Sequence, residues 1–95
     1  DSSYEVKGGR LSVTKSQEER KLQKQQEAEE RKRRRRAEEL EKLIDEAESE
    51  IASIEELMCR PENASNVIFL HECEEKRIKI KEKLDAFYDE WYEIM

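Results

Sequence analysis

The chain has 95 residues, 46% charged and 35% hydrophobic, with two glycines, one proline and a formal net charge of −6. Such a composition cannot fill a globular core of ordinary depth, but it can supply a seam between two helices. No apolar run approaches the roughly 18–20 residues of a membrane span and no hydrophobic signal segment is present, so no membrane role is expected.

Residues 1–14 contain Gly8 and Gly9 among Ser and Thr and show no hydrophobic period, which reads as a flexible linker or cloning remnant. From about Lys15 the chain is rich in Gln, Glu, Lys and Arg, with no Gly or Pro before Pro61. These are strong helix formers, and pairs such as Glu27/Arg31 and Glu30/Arg34 add support four residues apart. Helix 1 is therefore predicted over about residues 15–58. Its second half carries apolar side chains at alternating spacings of three and four: Ala37, Leu40, Ile44, Ala47, Ile51, Ile54 and Met58. That is a coiled-coil seam and excludes a strand.

A turn is predicted at residues 59–65, where Pro61 cannot continue a helix interior, and Asn63, Ser65 or Asn66 can cap the next helix. Helix 2 is predicted over about residues 66–95, with its own seam of Leu70, Cys73, Arg77, Ile80, Leu84, Phe87, Trp91 and Ile94. The fold class is all-α, an antiparallel two-helix coiled-coil hairpin with a longer first helix. Pairing residues whose numbers sum to 124 matches Ile54 with Leu70, Ile44 with Ile80, Leu40 with Leu84 and Ala37 with Phe87. In that register Arg36 lies near Glu90, Trp91 lies opposite Arg33, and a slip of one heptad would set Ile54 against Arg77. A seam satisfied within one chain predicts a monomer.

Charge is divided along the chain. Residues 1–14 are neutral, residues 15–36 carry ten bases and five acids, and residues 37–95 carry seven bases and eighteen acids. The acidic part repels a polyanion, whereas Arg31, Lys32, Arg33, Arg34, Arg35 and Arg36 attract one. Six bases in a row wrap the helix, so at most about four face one ligand. Tyr88 and Tyr92, at the seam edge near this tract, complete the candidate nucleic-acid site, because arginines beside aromatic rings bind phosphates and stack on bases. Phe87 and Trp91 occupy seam positions and read as packing residues.

Other chemistry is sparse. Cys59 and Cys73 are too far apart for a disulfide, and two reduced thiols suit a cytoplasmic setting. His71 and Cys73 fall on different helix faces, so no metal site is expected. No phosphate-binding loop or nucleophile elbow occurs, and a two-helix hairpin has no pocket in which to desolvate a pair of carboxylates. No catalytic residue and no cofactor is assigned to these 95 residues.

The string Ala37-Glu-Glu-Leu-Glu-Lys-Leu-Ile, the turn Cys59-Arg60-Pro61-Glu62 and the closing Leu84-Asp-Ala-Phe-Tyr-Asp-Glu-Trp-Tyr-Glu together resemble the C-terminal domain of ABC-F ATPases. The basic lead-in over residues 18–36 is similar to Uup-like and Gram-positive members. The resemblance implies a parent polypeptide that binds ATP and Mg and hydrolyses ATP with two cassettes lying outside these residues. It also implies contact with nucleic acid, either ribosomal RNA on the ribosome during translation or DNA. The positions that match its motifs are Pro61, Glu62, Tyr88 and Trp91; the arginine tract is not among them. The alternative is a spacer or protein-interaction coiled coil without nucleic-acid binding.

Overall fold

A computed structural model of the chain describes residues 2–95, with side chains described from residue 15 onward. Helix α1 is Ser2–Cys59, a single 3-10 turn is Pro61–Asn63, and helix α2 is Val67–Ile94. The all-α hairpin expected from the seam periodicity, with the longer helix first, is the fold found. The bounds of α1 begin N-terminal to the expected start near Lys15. The reading of residues 1–14 as a linker falls outside the residues whose side chains are described. The chain divides into two units, Asp1–Arg34 and Arg35–Met95. The second holds the whole hairpin.

Pro61 determines where α1 stops. The residue before a proline is driven out of the helical region, and Arg60 is accordingly extended at φ −68°, ψ 132°. The carbonyls freed at the helix end are recaptured locally. The Asn63 side-chain amide donates to the Leu57 carbonyl at 2.9 Å, and the Asn63 and Ala64 backbone amides donate to Arg60 and Pro61 at 3.0 and 3.2 Å. Asn66 then caps α2, its side-chain oxygen accepting from the Phe69 amide at 3.2 Å. No described residue has a positive φ, so the reversal needs no glycine.

Two hydrogen-bonded pairs join the helices and give their direction, and the second of them fixes the register. The Arg36 guanidinium donates to both carboxylate oxygens of Glu90, at 2.5 and 2.9 Å, and the Tyr88 hydroxyl donates to Glu48. Partner numbers rise on one helix as they fall on the other, so the pairing is antiparallel. They sum to 126 and 136, which centres the register near 131, one heptad from the expected 124. In the expected register Tyr88 would face Arg36, twelve residues from Glu48, about 18 Å along the axis at 1.5 Å per residue. A Tyr and a Glu cannot reach across that gap. Arg77 agrees with the shift, because the Glu55 carboxylate acts on it electrostatically, as it should for a residue facing Ile54 rather than Ala47.

The reason for the shift lies at both ends of the hairpin. The 3-10 turn carries the chain past Cys59, and reversal occurs at Ala64 and Ser65, which moves the midpoint of the pairing forward. At the open end, the shift brings Trp91 opposite Leu40 and Ile94 opposite Ala37. A sum of 124 would have set the same two side chains against Arg33 and Glu30. Trp91 is half-buried, and covering about half of the 150–250 Å² of an aromatic is worth about 2–3 kcal/mol at about 25 cal/mol per Å². The shift does place Ile54 opposite Arg77, the contact that argued against it in the sequence. Arg77 accommodates this by lying half-buried with its head turned to Glu74, at 2.7 and 2.9 Å, so its stem covers the seam while its charge stays paired.

The core follows this arithmetic. Leu40 has no exposed surface, and Ala37, Ile44, Ala47 and Cys73 are also buried. Ala37, Leu40, Ile44 and Ala47 face Ile94, Trp91, Phe87 and Leu84 in turn. The α2 partners are half-buried, and small residues are set against large ones, as interdigitated packing needs. Toward the turn, Ile51, Ile54, Leu57 and Met58 are only half-buried.

Candidate nucleic-acid interface

In the first unit the described side chains, from Lys15 to Arg34, are all exposed except Ala28, which is half-buried. Spacings of three, four and three put Lys21, Lys24, Ala28 and Arg31 on one helix face. Arg34 pairs with Glu30 at 3.2 Å, with both side chains about two-thirds exposed. An exposed pair of this kind contributes about 0–1 kcal/mol, so it does not withhold Arg34 from another anion. Arg31, Lys32 and Arg33 are exposed and form no ion pair among the described residues.

The remaining two bases of the tract belong to the hairpin unit. Arg35 is exposed and has no ion pair among the described residues. Arg36 is the most committed of the six. Besides its two bonds to Glu90 it meets Glu39 at 3.0 Å, and its side chain is 38% exposed. The hydrogen bond to Glu90 is the main cause that raises the Arg36 pKa and lowers that of Glu90. The Arg36–Glu90 neighbour relation expected from the sequence is present. It survives the register shift because both side chains are long enough to reach about half a heptad.

Tyr88 and Tyr92 sit on the other edge of the seam. The Tyr88 hydroxyl is bound to Glu48, which raises its pKa above the usual 10.0, with burial and the Asp45 charge adding to the effect. Tyr92 is 70% exposed and stacks on Tyr88 at 6.5 Å between ring centroids. Trp91 meets the Tyr92 ring edge-on at 5.4 Å, and its buried indole nitrogen has no hydrogen-bond partner among the described residues. Facing Leu40, Trp91 is a packing residue, as its seam position suggested. The Tyr88–Glu48 bond was not foreseen. Both residues immediately follow a seam position, so the signal existed but could be used only in the correct register.

Among the described residues there is no group of three or more His, Cys, Asp or Glu placed to hold a metal ion. Cys59 is exposed, Cys73 is buried, and both are free. His71 meets Glu75 at 3.1 Å on the surface. No described helix is long and apolar enough to cross a membrane.

Residues 16–95 match the family model described as the ABC transporter C-terminal domain. No curated protein and no solved structure gives a significant match to the chain.

Proposed function

The chain belongs to the ABC transporter C-terminal domain family, and on that premise we propose that it is the nucleic-acid-contacting hairpin of an ABC-F-type ATP-binding protein. The parent polypeptide would be a cytoplasmic ATPase that holds ATP and Mg in cassettes outside these residues, and the hairpin would engage ribosomal RNA or DNA. The observation that carries this reading is the state of the basic tract. Arg31, Lys32, Arg33 and Arg35 are exposed and free of ion pairs among the described residues, in a chain whose residues 37–95 are strongly acidic. A helix with this charge follows a phosphate backbone without reading its bases. Arg36 contributes less, because a phosphate would have to displace both Glu90 and Glu39. Tyr88 and Tyr92 are left out of this interface, since Glu48 and Asp45 beside Tyr88 repel phosphate.

The test is fluorescence anisotropy of the chain with single-stranded DNA, duplex DNA and an RNA hairpin across a salt series. Binding should weaken steeply with salt. Changing Arg31, Lys32, Arg33 and Arg35 together to Gln should lower the slope by about one unit per lost phosphate contact. Equal binding by wild type and variant on all three ligands would instead support the spacer reading, which the internal use of Arg36 and Tyr88 favours.

A further inference from the structure

We propose that the Tyr88–Tyr92 edge of the hairpin docks an arginine-bearing cationic segment of another protein. This goes beyond the nucleic-acid reading, which rests on a different set of side chains and the opposite sign of charge.

The chemistry of the edge carries the inference. Tyr92 presents an aromatic ring that is 70% exposed, because its neighbour Trp91 takes the seam position. It is held in place from two sides, stacked on Tyr88 at 6.5 Å and 28° and met edge-on by Trp91 at 5.4 Å and 76°. A ring fixed in this way loses little conformational entropy when a ligand covers it. Around it the charge is negative. Glu48 and Asp45 both act on the Tyr88 hydroxyl, and Asp89, three residues before Tyr92, shares its helix face. Asp45, Glu48 and Asp89 form no ion pair among the described residues. Met95, three residues after Tyr92 and 73% exposed, extends the apolar part of the edge.

An exposed aromatic with a negative face, bordered by unpaired carboxylates, fits a cation far better than an anion. Among cations, the guanidinium group stacks flat on a ring and donates to carboxylates at the same time, which an ammonium does less well. Aromatic rings with this setting attract cations by about 0.5–1 kcal/mol when exposed. A phosphate meets the same carboxylates as repulsion. The occupant is therefore an arginine-bearing peptide segment.

The experiment titrates the 95-residue chain into a fluorescein-labelled nine-residue peptide of alternating Arg and Gly, with a citrulline-for-arginine peptide as control. The Arg peptide should bind and the citrulline peptide should not. Tyr92→Ala, at an exposed position that leaves the seam intact, should weaken binding about three- to fivefold, as expected for one lost cation–aromatic contact. Tyr92→Phe should restore it, because the ring is kept. Glu48→Gln should weaken binding, while Glu62→Gln at the turn should not. The proposal is overturned if Tyr92→Ala binds as wild type, or if Glu62→Gln weakens binding as much as Glu48→Gln, which would make the attraction diffuse. It is also overturned if an oligothymidine displaces the peptide from wild type but not from Tyr92→Ala, or if sedimentation shows that Tyr92 serves a dimer of this chain.

Discussion

The hydroxyl of Tyr88 on α2 donates to the carboxylate of Glu48 on α1, forty positions earlier in the chain. This bond distinguishes between two coiled-coil registers that share the same seam residues. With Trp91 facing Leu40, Tyr88 lies level with Leu43, and its hydroxyl reaches toward the turn to Glu48. The Arg36–Glu90 pair on the other edge of the seam is compatible with the shifted register but could not have selected it, since it was expected in the original one as well.

The register predicts which mutations are coupled. Leu40→Ala should destabilise the hairpin by about 2–5 kcal/mol, the cost of deleting a fully buried leucine. In a double-mutant cycle Leu40→Ala and Trp91→Ala should show a coupling of about 0.5–3 kcal/mol, because the register sets the two side chains opposite each other. Leu40→Ala and Leu84→Ala, which a sum of 124 would have placed in contact, should be additive. Chemical denaturation followed by circular dichroism measures all three, and a larger coupling for the Leu84 pair would restore the original register.

Acid should weaken the hairpin through two carboxylates. Glu90 and Glu74 have folded pKa values below the ordinary 4.5, owing to their hydrogen bonds with Arg36 and Arg77. A depressed folded value means that the stabilisation is complete above the unfolded pKa and is lost as pH falls through the folded one. The melting midpoint should therefore fall as pH drops below about 4.5, and Glu90→Gln should reduce that fall. An unchanged acid profile for Glu90→Gln would show that the pair with Arg36 does not form in solution.

Tyr88 has the opposite sign. Its folded pKa lies above the ordinary 10.0 because Glu48 accepts from the neutral hydroxyl. The contribution is present below the unfolded pKa and disappears as pH rises through the folded one. Absorbance of tyrosinate should show Tyr88 titrating above the ordinary value, and Glu48→Gln should bring it back toward that value.

The turn predicts a selective effect of capping. Asn66→Ala removes the bond to the Phe69 amide and should cost about 1 kcal/mol, whereas Asn66→Asp should preserve the cap. Asn63→Ala releases the Leu57 carbonyl at the end of α1 and should cost about 0.5–1.5 kcal/mol. Thermal melts of the three variants check the order.

Much of the fold was legible in the sequence. The alternating spacing of Ala37 through Met58 and of Leu70 through Ile94 indicated two helices, Pro61 marked the stop, and Asn66 was one of three candidate caps. The register was not legible, because a seam that repeats every seven residues looks alike after a shift of seven. Judging the pairs from the turn outward counted Ile54 against Arg77 as the decisive penalty. The larger gain lay at the far end, where Trp91 and Ile94 needed apolar partners. The same difficulty hid Tyr88–Glu48, and with it the acidic surroundings of the two tyrosines. The basic tract was visible as a string of letters, but the commitment of Arg36 to two carboxylates required the folded hairpin.

The distribution of burial along the seam also has a mechanical meaning. Ala37, Leu40, Ile44 and Ala47 are buried in the half of α1 at the mouth of the hairpin, whereas toward the turn Cys73 is buried and Val67 and Ile68 keep 74% and 75% exposure. A load that pries the two helix ends apart must break Arg36–Glu90 and uncover Leu40 and Trp91 before any weaker layer yields. Resistance to unzipping is thus highest at the first step, and spontaneous opening is expected at the turn. Within the hairpin, hydrogen exchange should accordingly be fastest around Val67 and slowest near Leu40, so a pull received at the open end meets its firmest layer first.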